Sequence, residues 1–261
     1  MKLTFLGTGT SQGVPVIGCR CRVCSSEDPR DKRLRTAALV EVAGLRISID
    51  AGPDFRQQML RVGIRHLDAL LLTHEHKDHT GGIDDLRAFN FVDYPTIHRI
   101  PIYGSKATLE VVRRDYGYAF GAERYRGVPE IELREVDPAN PFRVGGVEII
   151  PIEGSHSDRF RVLGYRIGRL AYLTDFSAIS PDQEAKLNGV EVLVVNALRH
   201  EPHDSHFSLP EALALIGRVA PKQAYITHQS HDMGLHVHLQ EELPKGVFSA
   251  WDGLEIEINE S

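Results

Sequence analysis

The sequence predicts an α/β (α+β) chain folded as an αββα four-layer sandwich, two mixed β-sheets face to face with helices outside. Three observations predict it. Apolar stretches of strand character alternate with stretches of helical spacing along the whole chain. Strand hairpins mixed with helices occur in two similar halves, roughly residues 1–137 and 138–261, which is the grammar of two packed mixed sheets. Finally, 261 residues that are 42% apolar suffice for one substantial core, so 1–261 is expected to form a single domain of two halves.

The elements follow in order. KLTFL opens as a strand and runs into the glycine-rich turn GTGTSQG, and TAALVEV and LRISID form a hairpin around AG that ends at Asp50 of a DAG run. DFRQQMLRVGI has helical spacing at Phe55, Met59, Leu60 and Ile64, and the short strand DALLLTH comes next. A helix at GIDDLRAFNF, a strand at IPIYG and a helix at KATLEVVRRDY are expected before strands at EIELREV, VEIIPIEG, VLGYRIG and LAYLTD. SPDQEAKL reads as a helix, EVLVVNA as a strand, LPEALALIGRVA as a helix and QAYITH as a strand. Ser208 and Glu211 have capping-box spacing at the start of LPEALALIGRVA. His236 and His238 in HVHLQEEL are assigned to a polar helix face.

Composition narrows the classes. A net charge of −6 and a pI near 6.1 argue against a nucleic-acid groove as the main surface. The opening MKLTFLGTGTSQG has too short an apolar run for a secretory signal, and no stretch reaches the roughly 20 residues of a membrane span. The chain is therefore read as cytoplasmic, with its thiols reduced. Its three cysteines, Cys19, Cys21 and Cys24, all fall in GCRCRVC, a cluster that suits a metal better than a disulfide.

The chemistry sits at strand ends. LLTHEHKDHTGG places His74, His76, Asp78 and His79 directly after an apolar strand. Two residues apart on extended chain, His74 and His76 project to one side. Asp78 and His79 follow where the chain bends, so one loop can serve two cations about 3.5–4 Å apart, the separation used by two-metal hydrolases. Later strand ends offer His156, Asp175 and His228, and a carboxylate such as Asp175 is able to bridge two cations.

These residues carry a family resemblance. THEHKDH, with His156, Asp175 and His228 in that order, resembles the signature of the metallo-β-lactamase fold, and the likeness spans nearly the whole chain. GTGTSQGVP followed by GCRCRVC, with THQSH near the C-terminus, looks like the PhnP-type phosphoribosyl cyclic phosphodiesterase branch. The resemblance implies that His74, His76 and His156 hold one metal, that Asp78, His79 and His228 hold the other, and that Asp175 bridges. It also implies a separate structural zinc on the three cysteines and one histidine. His231, three residues after His228, is the candidate fourth ligand, with His236 or His238 as runners-up.

The function so implied is a metal-dependent phosphodiesterase acting on small or cyclic diesters through a hydroxide held between two divalent ions, Zn²⁺ or Mn²⁺. Asp78 and His206 are the catalytic candidates. His206, in HDSHFS, resembles the histidine of the family's H-x-S/T motif and would serve as general acid. Ser11 and Gln12 in the glycine-rich turn are substrate-contact candidates, and Arg87, Arg199, His200 and His203 weaker ones. DDLRAFNF carries no motif that assigns it a role.

Alternatives share the scaffold. A tRNA 3′-processing endonuclease (tRNase Z) uses the same ligands but generally carries a long RNA-gripping arm, whereas only residues 157–174 separate His156 from Asp175 here. A thioester hydrolase or lactamase is a further reading. A di-iron oxidoreductase is disfavoured by His76 standing where that class has Glu. A non-catalytic metal-binding protein is disfavoured by the complete ligand set. The expected partner is a small phosphodiester, with neither nucleic acid nor membrane, and a homodimer is left open.

Overall fold

Every second residue of the strands turns the same way, and that alternation sorts the core into three apolar layers. Leu3 and Phe5 join one cluster while Leu6, on the same strand, joins another. The computed structural model describes residues 1–121 and 125–259. Its strands are β1 (Lys2–Gly7), β2 (Ala37–Val42), β3 (Leu45–Ile49), β4 (Ala69–Leu71), β5 (Ile100–Gly104), β6 (Ile131–Glu135), β7 (Phe142–Val144) and β8 (Val147–His156). There follow β9 (Phe160–Ile167), β10 (Leu170–Tyr172), β11 (Ala178–Ile179), β12 (Val192–Asn196), β13 (Gln223–Thr227), β14 (Val247–Ser249) and β15 (Glu255–Glu257). The helices are α1 (Phe55–Val62), α2 (Lys77–Thr80), α3 (Arg87–Asn90), α4 (Lys106–Asp115), α5 (Pro181–Glu184), α6 (Leu209–Val219) and α7 (His236–Glu242).

One sheet has the order β15-β1-β2-β3-β4-β5-β6, the other β11-β8-β9-β10-β12-β13-β14 with β7 paired to β8. Between them lies a layer that includes Phe5, Val40, Ile49, Leu71, Leu163, Tyr172, Val194 and Tyr225. Outside the first sheet, Leu39, Leu70 and Ile102 meet Phe55 and Met59 of α1 and Leu109 and Val112 of α4. Outside the second, Leu193, Val195 and Ile226 meet Leu215 and Ile216 of α6 and Leu239 of α7. Each such side chain contributes about 1.5–3 kcal/mol on full burial. An exposed ion pair contributes about 0–1 kcal/mol, so the apolar layers hold the fold. The αββα expectation is met.

Several elements depart from the sequence pattern. β7, β11, β14 and β15 are too short to announce themselves, and β15 leaves the second stretch of chain to pair with β1, Leu3 opposite Ile256. GIDDLRAFNF is a 3₁₀ turn (Ile83–Leu86) followed by the single turn α3, because buried Asn90 spends its side chain on the backbone of His98 and Glu130. SPDQEAKL likewise shortens to α5 and a 3₁₀ turn. His236 does not lie on a polar face: it is 2% exposed, its ring edge-on to Trp251 and its backbone N–H donated to Asp31 Oδ1. The Ser208–Glu211 capping box forms as expected. Among the described residues no helix is long and apolar enough to cross a membrane.

Direction matters most for the site. β3 and β4 pair in parallel, Ile49 beside Leu71, as do β10, β12 and β13, Asn196 beside Thr227. β8 runs with β10, since both are antiparallel to β9. The carboxyl ends of these strands therefore gather along one edge of the sandwich, where open α/β sheets place their ligands.

The turn before β15 closes that edge. Asp252, its side chain 6% exposed, accepts hydrogen bonds from Thr8 N (2.9 Å), Thr8 Oγ1 (2.8 Å) and Leu34 N (2.8 Å). Burial raises its pKa from 3.8 to about 6 against the pull of those donors. The folded protein thus holds this proton more tightly than the unfolded chain. The associated stability is complete below about pH 4 and is lost as pH rises through 6. The stability difference between wild type and Asp252→Asn is expected to shrink by up to roughly 3 kcal/mol from pH 4 to 7.5, read by urea unfolding. A difference that grows with pH would overturn the assignment.

Candidate active site

Three site residues adopt a backbone conformation that side chains usually avoid. Asp50 and His228 directly follow β3 and β13, Asp175 comes three residues after β10, and their φ values are 65°, 56° and 64°. Left-handed geometry at a non-glycine residue costs about 1–3 kcal/mol and persists only where surroundings over-determine it. Here it turns each chain abruptly at the edge and aims the side chain inward.

Asp50, fully buried, organises the THEHKDH loop. Its carboxylate accepts Thr73 N (2.8 Å), Thr73 Oγ1 (2.9 Å) and His79 Nδ1 (2.7 Å). Ala51 N donates to His79 O and Gly82 N to Ala51 O, both at 2.8 Å, so DAG docks the C-terminal end of α2. Gly52 lies so close under this loop that a Cβ would sit 1.9 Å from the Asp78 carbonyl oxygen, which only glycine permits.

The ring nitrogens then converge. Thr73 Oγ1 has given its proton to Asp50, so at 3.0 Å it accepts from His74 Nδ1. His79 Nδ1 is committed to Asp50 and His156 Nδ1 donates to Ser205 O at 2.8 Å. The ring nitrogen left over is Nε2 in all three, and that of His156 lies 3.2 Å from His76 Nδ1. His74 Nε2, His79 Nε2 and His228 Nε2 are buried without a hydrogen-bond partner. Orphaned buried nitrogens are rare in proteins and fit a site built for cations.

Two overlapping donor sets emerge. The ligand atoms of His74, His76 and His156 lie within 4.8 Å of one another, as do those of His74, His79 and Asp175. His79 Nε2 is 3.1 Å from Asp78 Oδ2 and 3.3 Å from Asp175 Oδ2, and His228 Nδ1 is 3.2 Å from Asp175 Oδ2. Burial holds His74 well below its ordinary pKa and brings His228 to about 3, and burial also lowers His156. Burial works against a charged His79, but Asp175, Asp78 and Asp50 outweigh it and raise its pKa. Burial likewise opposes ionisation of Asp175, yet His228 and His79 hold it well below its ordinary value. His74, His156 and His228 are thus held neutral beside an ionised Asp175, the state that divalent cations require, whereas His79 has a proton to give up before it can ligate one.

His206 closes the cluster on its open side, 12% exposed, with Nε2 3.1 Å from Asp175 Oδ1 and Nδ1 2.9 Å from Ser205 Oγ. Ser205 thereby orients two histidines at once, His206 through its hydroxyl and His156 through its carbonyl. His203 stands beside His206, 3.4 Å between Nδ1 atoms. Phe160 packs edge-on against His76, ring centroids 4.9 Å apart.

The second cluster lies at the other end of THQSH. His231 Nδ1 is 3.4 Å from Cys19 Sγ, 3.4 Å from Cys21 Sγ and 3.6 Å from Cys24 Sγ. Tetrahedral zinc with ordinary Zn–S and Zn–N bonds spaces sulfur and nitrogen about 3.6 Å apart, so the set fits that ion. The Cys24 backbone N–H, then His231, lower the Cys21 thiol to about 6, while burial pushes Cys24 up to about 11. Neither runner-up joins it, since His236 is buried beside Trp251 and His238 Nε2 faces Arg22 at 3.0 Å.

Other candidates stay outside. Ser11 and Gln12 are exposed and neither side chain hydrogen bonds into the cluster, the Ser11 carbonyl instead taking Arg35 Nε at 2.8 Å. Arg87 pairs with Asp84, Arg199 with the Glu201 and Pro202 carbonyls, and His200 Nε2 with Met233 O at 3.4 Å. Sequence reasoning passed over Asp50 and Ser205. Asp50 shows the same signal as its neighbours, a strand ending in an acidic residue, whereas nothing local marks Ser205.

Residues 45–229 match the family described as Beta-lactamase superfamily domain. A crystal structure described as a new diphosphatase from the PhnP family is 39% identical, with a TM-score of 0.91, covering 99% of this chain and 98% of that one. The chain belongs to the beta-lactamase superfamily, in its PhnP family. An octanoyltransferase of Porphyromonas gingivalis is 43% identical over all of this PhnP-family chain, which covers 52% of that protein. A ribonuclease Z of Bradyrhizobium diazoefficiens is 34% identical over 60% of this chain and 48% of its own length. The chain thus spans about half the length of these two relatives.

The clamp at Asp50 carries a prediction. Partners that orient a ligating histidine are typically worth 10–100-fold in metal affinity or activity. Asp50→Asn is therefore expected to lower affinity for divalent cations by about 10–100-fold, measured by competition with a chromophoric chelator. Unchanged affinity in a folded variant would remove Asp50 from this role.

Proposed function

We propose that the chain is a dinuclear-metal phosphodiesterase that hydrolyses small or cyclic phosphodiesters. The observation that carries this reading is the pair of overlapping donor sets, His74 with His76 and His156 and His74 with His79 and Asp175, together with the buried Nε2 atoms of His74, His79 and His228 that lack a hydrogen-bond partner. His74, His76 and His156 would hold one cation, Asp78, His79 and His228 the other, and Asp175 both. Imidazole and carboxylate ligands suit Zn²⁺ and Mn²⁺ alike. When bound, such ions supply a nucleophile at neutral pH and offset phosphoryl charge.

The remaining tasks fall to the chain's own groups. His206 sits on the open side with Nε2 toward Asp175 and Nδ1 held by Ser205, positioned to give a proton to a departing alkoxide. Two features support a small substrate. β8 returns into β9 through Ser157–Arg159, which leaves no arm for gripping RNA, and the likeness to a PhnP-family diphosphatase covers nearly all of both chains. Thioester hydrolysis is the competing reading, since the chain is also similar to about half of an octanoyltransferase.

Cys19, Cys21, Cys24 and His231 would bind a structural zinc with no open position. It would staple the N-terminal loop to the turn after β13, a join already made on the protein side by buried Arg33. Its Nη1 donates to Ser230 O (3.0 Å) and its Nη2 to Gly234 O (3.2 Å). The cytoplasm, where thiols stay reduced, suits this cluster.

Metal-replete protein is expected to cleave bis-p-nitrophenyl phosphate and ribose 1,2-cyclic phosphate and to lose both activities with chelator. His206→Ala should slow the alkoxide-leaving substrate by about 10²–10⁴-fold and the p-nitrophenyl ester less. Trimming of precursor tRNA, or thioester hydrolysis, without small-diester turnover would overturn the reading. His231→Ala is expected to release about one zinc and lower the Tm while the paired site stays loaded, as read by metal analysis. A full zinc complement in that variant would exclude His231 as a ligand.

A further inference from the structure

A third group of ligand-type side chains lies apart from both clusters. His66 precedes β4 beside buried Leu67, and Asp93 and His98 sit in the connection from α3 to β5. Asp93 Oδ2 is 3.0 Å from His98 Nε2 and 3.7 Å from His66 Nδ1, and one ligand atom from each of the three residues falls within 4.8 Å of the others. Ligands about 2.0–2.2 Å from a tetrahedral ion lie roughly 3.4 Å apart, a spacing these two separations bracket. The imidazole rings meet edge-on, centroids 5.7 Å apart at 81°, instead of stacking. A hydrogen bond explains why His98 faces Asp93. It does not explain why a second histidine, from a different part of the chain, turns to the same oxygen.

The loop that carries two of the three ligands is held rigidly. Asn90, fully buried, donates through Nδ2 to His98 O (2.6 Å) and Glu130 O (2.9 Å), and its Oδ1 accepts Glu130 N (2.9 Å). His98 N returns a bond to Asn90 O at 2.9 Å, and Thr96 N donates to Asp93 O at 3.0 Å. The neighbouring cation Arg99 is paired with Glu130 at 3.1 Å, so it offers little repulsion to a further positive charge. This is the DDLRAFNF region, whose broken helix ends at Asn90 and delivers Asp93 and His98 to the surface.

We infer that His66, Asp93 and His98 form a third metal site, for one late first-row divalent cation, Zn²⁺ foremost. Two imidazoles and a carboxylate favour such ions over Mg²⁺ or Ca²⁺, which prefer oxygen. The side chains are 42–44% exposed, and His66 and His98 line a surface hollow of about 430 Å³. The fourth position is therefore open to water or a small anion. Occupancy ties the connection before β4 to the connection before β5.

The site shares no residue with the other two clusters, so its test is separable from the phosphodiesterase reading. Protein whose paired site and cysteine cluster are loaded, then freed of excess metal, is titrated with Zn²⁺ by calorimetry. Wild type is expected to take up one further equivalent and to gain thermal stability with added Zn²⁺. The His66→Ala/His98→Ala double variant should lose both effects while keeping the metal with which it started. Asp93→Asn, which keeps the side-chain volume, should bind the further equivalent at least tenfold more weakly. No further equivalent in wild type, or the same uptake in the double variant as in wild type, would overturn the inference.

Discussion

The carboxylate of Asp50 is the contact on which the geometry of the site depends. It is buried at the end of β3 and accepts three hydrogen bonds, two from Thr73 and one from His79. Through Thr73 it sets the tautomer of His74, and through His79 it fixes the far end of the same loop. A buried carboxylate is costly to leave unpaired, so these bonds are strongly enforced. The loop that bears His74, His76, Asp78 and His79 is therefore held from the neighbouring strand and not by its own conformation.

The site also needs both sheets. β3 and β4 supply Asp50 and the THEHKDH loop, while β8, β10 and β13 lead into His156, Asp175 and His228. Two buried bonds cross between the sheets beside the cluster: Tyr165 Oη donates to Leu72 O at 2.6 Å and Leu163 N to Thr73 O at 2.9 Å. The inter-sheet apolar layer fixes how far apart the strand ends lie, and these bonds fix their register at the edge. Three left-handed residues store strain there, and packing of the whole sandwich sustains it.

Much of this was legible. Long elements with clear periodicity, such as β8, β9, α4 and α6, appear where the apolar pattern puts them, because burial of one face rewards a single period. Short edge strands and single helical turns were not, since β11 and α3 owe their form to neighbours and not to local propensity. His236 shows the same limit. A histidine in HVHLQEEL reads as polar surface until α7 is laid against Trp251. The glycine-rich turn resembles a substrate loop, and its backbone is anchored by Thr10 N to Gln229 O and Gly9 N to Leu34 O while the Ser11 and Gln12 side chains stay exposed.

The sequence by itself determined the layer architecture, the donor types and their placement at strand ends, because period and residue chemistry are local properties. Only the tertiary structure decided which nitrogens remain free, which carboxylate holds the loop and which histidine meets the cysteines. Those depend on contacts between residues as much as 212 positions apart, as Cys19 and His231 are. They depend equally on strand direction, which no segment reveals before it is paired.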